Sequence, residues 1–126
     1  MVTKQFTGSP DEADLRRADS LGREIFSDVA NKWALLIIEA LGERTLRFSE
    51  LRDGVEGISH KMLTQNLRML ERYGLVERTV YPVVPPRVEY TLTEPGQALR
   101  VTIDGLCDWT HRYFGHIEAS RRRFDA

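Results

Sequence analysis

The sequence predicts a mainly α-helical domain that carries one small β-hairpin. Three observations lead there. Apolar residues recur at three- and four-residue spacing through most of the chain, the mark of helices with one covered face. Side chains able to cap a helix stand ahead of those stretches, at Ser9, Asn31, Ser59 and Thr93. Between Gly74 and Thr93 the spacing changes to the near-alternation of strands, interrupted by a cluster of prolines. A chain of 126 residues has the length of one domain and can bury roughly two thirds of its unfolded surface without metal or disulfide support.

Residues 1–8 are polar and irregular and are expected to form a mobile arm, with a single domain over 9–126. Ser9-Pro10-Asp11-Glu12 reads as a helix start: Ser9 can cap, Pro10 has the φ of a first helical position, and Glu12 completes a capping box. To Val29, the residues Ala18, Leu21, Ile25 and Val29 share a face. Gly22 weakens this helix by about 1 kcal/mol relative to alanine without ending it. A small domain has little use for such an outlying helix, so Leu21 and Ile25 are expected to pack against a second copy. Asn31 caps the next helix, Lys32 to Leu41, which Gly42 closes. It is apolar almost all round and should be the central, covered helix, with Trp33 as a core anchor. Leu46-Arg47-Phe48 is a short strand candidate, and Ser49 to Val55 a helix of under two turns.

A tight turn through Gly57 then leads into the most informative helix, 60–73, capped by Ser59 and stopped by Gly74. Leu63, Leu67 and Leu70 form its apolar stripe, flanked by Met62, Met69 and Tyr73. Lys61, Gln65, Arg68 and Arg72 recur on another face, with His60 and Thr64 beside them, and Glu71 is the lone acid at its edge. Those donors suit phosphates and purine edges. A short helix, a glycine turn and a polar-faced second helix make a helix-turn-helix.

Leu75 to Tyr81 and Val88 to Leu92 are the paired strands, with Val88, Tyr90 and Leu92 on one face. The segment between them, rich in Pro82, Pro85 and Pro86, is a stiffened hairpin tip. Placed after a helix-turn-helix, this hairpin is a wing, spanning 81–88 and carrying Arg87. The fold is therefore a winged helix-turn-helix with long terminal dimerisation helices. Thr93 caps the last helix, with Pro95 in its first turn. Along it Leu99, Ile103, Leu106, Thr110, Tyr113 and Ile117 are spaced 4, 3, 4, 3 and 4, and Cys107 and Phe114 widen the stripe. This coiled-coil-like seam outruns the body of one domain and again implies a homodimer.

Charge supports a nucleic-acid partner by its placement. The net charge is −1, yet residues 59–88 hold five basic and two acidic side chains, while residues 1–58 hold eight basic and eleven acidic. The lone cysteine, Cys107, forbids an intrachain disulfide and suits a reducing, cytoplasmic setting. Its expected place is as a small hydrophobe in the seam, or in an intersubunit disulfide if the dimer axis pairs two copies. No apolar run approaches a membrane span and no signal-peptide core is visible, so no membrane partner is expected. His60, His111 and His116 make no metal site, since Cys107 and His111 at one-turn spacing are too few ligands to close one. Neither a phosphate-cradling glycine loop nor a paired-carboxylate motif is present, so no cofactor and no enzymatic activity are expected.

Four strings in order carry a family likeness: Asn-Lys-Trp-Ala-Leu-Leu-Ile-Ile (31–38), Arg-Phe-Ser-Glu-Leu-Arg (47–52), Gly-Ile-Ser-His-Lys-Met-Leu-Thr-Gln (57–65), and the wing with its flanks (75–93). Together they resemble the HxlR-type winged helix-turn-helix regulators, bacterial and archaeal relatives of the MarR class, over about residues 20–115. The resemblance implies a transcription regulator, a homodimer joined by its terminal helices, bound to an inverted-repeat operator. Many members have Cys-Pro where this chain has Ser20-Leu21, and in some that cysteine senses oxidants; Ser20 cannot do that chemistry. His60, Asn66 and Met69 also depart from residues common in the family, proline, arginine and glutamate respectively.

The expected function is thus sequence-specific binding of double-stranded DNA by a homodimer. Gln65 and Arg68 would touch bases with Thr64 as helper, Ser49, His60 and Lys61 would hold phosphates, and Arg87 would carry the wing onto the minor groove or backbone. The dimer would be joined by Leu21, Ile25, Leu99, Ile103, Leu106, Cys107, Tyr113 and Ile117. A small-molecule effector is left open. The alternative is a winged-helix module that binds an acidic protein partner, for which charge alone would suffice.

Overall fold

The computed structural model describes residues 11–126. The arm expected over 1–8, and the capping roles expected of Ser9 and Pro10, lie outside them. The described chain runs α1 (Glu12–Val29), α2 (Lys32–Leu41), β1 (Thr45–Arg47), α3 (Phe48–Gly54), α4 (His60–Arg72), β2 (Val76–Tyr81), β3 (Arg87–Leu92) and α5 (Glu94–Asp125). Asp11 caps α1, its carboxylate accepting from the Asp14 amide at 2.7 Å. Helix α2 starts where Asn31 accepts from the Ala34 amide at 2.9 Å, as expected of an asparagine cap.

The core gathers under α4. Ile37, Ile38 and Leu41 of α2, Leu51 of α3, and Leu63, Leu67 and Leu70 of α4 are fully buried together. Trp33 packs against this cluster half-buried, and Leu36 is exposed, so α2 is covered on most faces but not on all. Phe48 opens α3 instead of ending a strand, and its ring packs against the core.

The sheet has three strands in the order β1-β3-β2, all antiparallel. Strand β1 completes what would otherwise be a lone hairpin, pairing Leu46 with Tyr90 on the open edge of β3. Two strands are marginal in water, and a third strand with a covered face makes the wing rigid at its base.

The root of α5 is welded to the start of β2. The Thr93 hydroxyl donates to the Gly74 carbonyl at 2.6 Å and accepts from the Gly96 amide at 3.2 Å, while the Thr93 amide donates to the Leu75 carbonyl. Gln97 reaches across to donate to the Gly42 carbonyl at 2.8 Å. A Cβ on Gly96 would sit 2.1 Å from the Leu75 carbonyl oxygen, so only glycine allows this approach. Ile103 lies in this chain's own core, and Leu99 packs against it, as does Ile25 of α1. Ile103 is buried in the single chain, while Leu99 and Ile25 are half-buried and keep part of their surface open. Gly96→Ala is expected to lower stability by about 1–3 kcal/mol, since α5 and β2 must part. Gly54→Ala, in open space, should leave the urea midpoint unchanged or raise it slightly.

Candidate nucleic-acid interface

The Ser59 hydroxyl accepts from the Met62 amide at 3.0 Å and starts α4, and Gly57 makes the preceding turn at φ 84°. Gly74 ends the helix at φ 72°, the left-handed conformation expected of it. Since the leucine stripe is buried, the opposite face is presented to solvent. Lys61, Gln65, Arg68 and Arg72 are all exposed along it. Thr64 is half-buried at its edge, and Asn66 is buried, its side-chain amide donating to the Met62 carbonyl at 2.8 Å. That bond turns Asn66 away from the exposed row.

His60 stands at the start of α4 with its ring 4.8 Å from that of Phe48, tilted by 51°. This contact ties the first turns of the two helices together, and exposed Ser49 sits beside it. The structure therefore gathers Ser49, His60, Lys61, Thr64, Gln65 and Arg68 onto the two helices of one helix-turn-helix.

Arg87 is placed differently. It opens β3 opposite Tyr81, behind the hairpin tip rather than on it. Its guanidinium lies 4.5 Å over the Tyr81 ring, and its Nε is 3.5 Å from the Glu89 carboxylate, without hydrogen-bond geometry. The tip itself is apolar, with Val84 99% exposed.

Sequence reasoning passed over Arg78. On β2 it pairs in register with Tyr90, so both side chains rise from the same face of the sheet toward α4. There an open cleft of about 710 Å³ is lined by Phe48, Thr64, Leu67, Arg68, Glu71, Arg72, Arg78 and Tyr90. Alternation along β2 shows that Arg78 faces one side; only the packing of α4 on the sheet shows what it meets there.

The far end of α4 is tied to α1. The Tyr73 hydroxyl donates to the Asp28 carboxylate, with Glu24 3.1 Å away. The hydrogen bond to Asp28, then desolvation, then Glu24 push the Tyr73 phenol up to about 12. Because the folded value lies above the unfolded one, the stabilisation is complete below a pH of about 10 and is lost as the pH rises toward the folded value. Phenolate absorbance should show one tyrosine titrating near 12, and Tyr73→Phe should remove that phase alone.

Of the remaining residues expected in the dimer, Leu21 and Leu106 are exposed, as are Cys107 and Tyr113, and Ile117 is half-buried. No helix among the described residues is long and apolar enough to cross a membrane.

A short helix, a glycine turn, an exposed polar helix and a following β-wing define a winged helix-turn-helix protein. The chain belongs to the HxlR-like helix-turn-helix family, which it matches over residues 28–118. It is 44% identical over 110 residues to the HTH-type transcriptional regulator YtfH of Escherichia coli, covering 87% of each chain. It is 45% identical over 94 residues to an HTH-type transcriptional regulator of Methanothermobacter thermautotrophicus, covering 75% of this chain and 72% of the other. The solved structure of the transcriptional regulator ytfH from Salmonella typhimurium superposes with a TM-score of 0.68 at 42% identity, covering 80% of this chain and 90% of that one. The protein is thus a transcriptional regulator with a helix-turn-helix DNA-binding domain, and not an enzyme.

Proposed function

We propose that this regulator acts as a homodimer on an inverted-repeat duplex operator, with α4 in the major groove of each half-site. The observation that carries the reading is the exposed row of Lys61, Gln65, Arg68 and Arg72 on a helix whose opposite face is buried. Gln65 and Arg68 read base edges, helped by Thr64, because amide and guanidinium groups pair bidentately with adenine and guanine. Ser49, His60 and Lys61 hold phosphates around the start of the helix. The wing rests on the minor groove or the backbone beside it. Arg87 is held beside Glu89 and over Tyr81, so its contribution is expected to be smaller than that of Arg68.

The second copy is supported by what one copy leaves uncovered. Leu21 and Phe26 on α1, and Leu106, Trp109, Tyr113 and Phe114 on α5, are exposed large hydrophobics on the two terminal helices. Leu21, Ile25, Leu99, Leu106, Cys107, Tyr113 and Ile117 form the interface in this reading, with Ile103 packed beneath them. It carries a cytoplasmic location, a reduced Cys107 and a single domain through the C-terminal helix.

Selection from a random duplex pool tests the function directly. A preferred inverted repeat should emerge, and retention without any sequence preference would point instead to a module for acidic protein partners. On the selected duplex Gln65→Ala should change the preferred base at one position and cost about 1–3 kcal/mol there. Lys61→Ala should weaken all sequences alike and reduce the salt slope by about one ion per subunit. Leu106→Asp should convert the sedimenting dimer to monomer, since an unpartnered carboxylate would be buried at the interface. A wild-type monomer at micromolar concentration would refute the dimer.

A further inference from the structure

The cleft between α4 and the sheet is not used by the contacts assigned above, apart from those of Thr64 and Arg68. Three guanidiniums, those of Arg68, Arg72 and Arg78, line it against the single carboxylate of Glu71. We propose that this cleft is a phosphate-binding site that grips a backbone phosphodiester of duplex DNA through Arg72 and Arg78, with Glu71 as the positioning residue that holds Arg78 in the free protein. The inference rests on the DNA-binding reading and deepens it.

The geometry supports each part. Arg78 and Tyr90 are paired in register and face the cleft together. Glu71 holds Arg78 by one contact, its Oε1 3.3 Å from Nε, with the two side chains 40% and 44% exposed. Such a pair is weak and screened by salt, so a phosphate can displace the carboxylate and accept from the guanidinium bidentately. Among the described residues Arg68 and Arg72 have no ion pair, and Arg72 lies 5.4 Å over the Tyr73 ring. Crowding three like charges beside one carboxylate favours a bound anion. Tyr90 lines the same space, and burial raises its phenol, with Arg78 opposing and Glu71 adding to the rise. Thr64, Arg68 and Arg72 form the rim, so the site continues the reading face of α4.

The test uses the full chain and the duplex that the wild-type protein selects. Failure of the wild type to bind any duplex would defeat the DNA reading itself, before Arg78 is touched. With the wild type bound, Arg78→Ala should weaken selected and scrambled duplexes alike by about five- to tenfold and reduce the salt slope by about one per subunit. Arg78→Lys, which keeps the charge, should restore the salt slope and part of the affinity. Glu71→Gln should tighten binding, and the double variant should match Arg78→Ala alone. Wild-type affinity in a folded Arg78→Ala protein would overturn the proposal, as would tightening by Glu71→Gln that persists without Arg78. A change of preferred sequence in place of a uniform loss would make Arg78 a base contact and overturn it too. Inorganic phosphate that raises the melting temperature of the wild type but not of Arg78→Ala, with duplex affinity equal in both, would give the cleft to a soluble phosphoryl ligand and overturn the DNA assignment.

Discussion

Leu63, Leu67 and Leu70 sink into the core beneath α4, against Ile37, Ile38 and Leu41 of α2, and this apolar contact sets the orientation of everything on the outer face. Fully exposing one leucine costs about 1.5–3 kcal/mol, so turning α4 about its axis would cost several times that. The helix therefore has one rotational setting, and in it Lys61, Gln65, Arg68 and Arg72 point outward. Its other freedoms are removed at the ends. The Ser59 cap and the Phe48–His60 ring contact hold the start, and Tyr73 anchors the finish to α1 through Asp28. A reading surface needs this kind of rigidity, because hydrogen bonds to base edges discriminate only when their donors are held in place.

Electrostatics work by segregation rather than by total. The chain carries a net charge of −1, so attraction to a polyanion has to come from where its basic residues are placed. The positive middle third supplies α4, β2 and the wing base, and the acidic excess lies toward the N-terminus. Approach to DNA is thereby oriented: one face is drawn in while α1, with Glu12, Asp14 and Glu24, is repelled.

Much of the fold was legible because its signals are local. Asn31, Ser59 and Thr93 cap the helices they precede, and Gly74 turns left-handed where α4 ends. These depend on a side chain and an amide three residues away. Helix α1 is capped by Asp11, whose short carboxylate reaches the amide three residues on in the same way. Phe48 has the shape of a strand residue, yet the Glu50 carboxylate accepts from the Arg47 amide at 2.7 Å and starts α3 one residue early. The less legible features are long-range. Pairing of β1 with β3, the withdrawal of Ile103 and Leu99 into the body, and the meeting of Arg78 with Glu71 all depend on which surfaces pack together. Of the two partners of Arg87, Tyr81 becomes a neighbour only through strand register, whereas Glu89 lies two residues along the same strand and shares its face by alternation alone.

The Gly96 weld gives α5 the mechanics of a lever. Its first turns are fixed to β2 and α2 by Thr93 and Gln97, and its remaining length is an uninterrupted helix in a rod of 32 residues, roughly 48 Å long. A rod clamped at one end passes motion at its free end to its root with little loss. In a pair of chains joined along such rods, a small change in their crossing angle swings the two reading helices apart or together. Half-sites one helical turn apart on DNA are roughly 34 Å from centre to centre, a spacing that tolerates little such swing. In the proposed homodimer the choice of operator would then be governed by span as well as by sequence, with the absence of a side chain at position 96 keeping that span stiff.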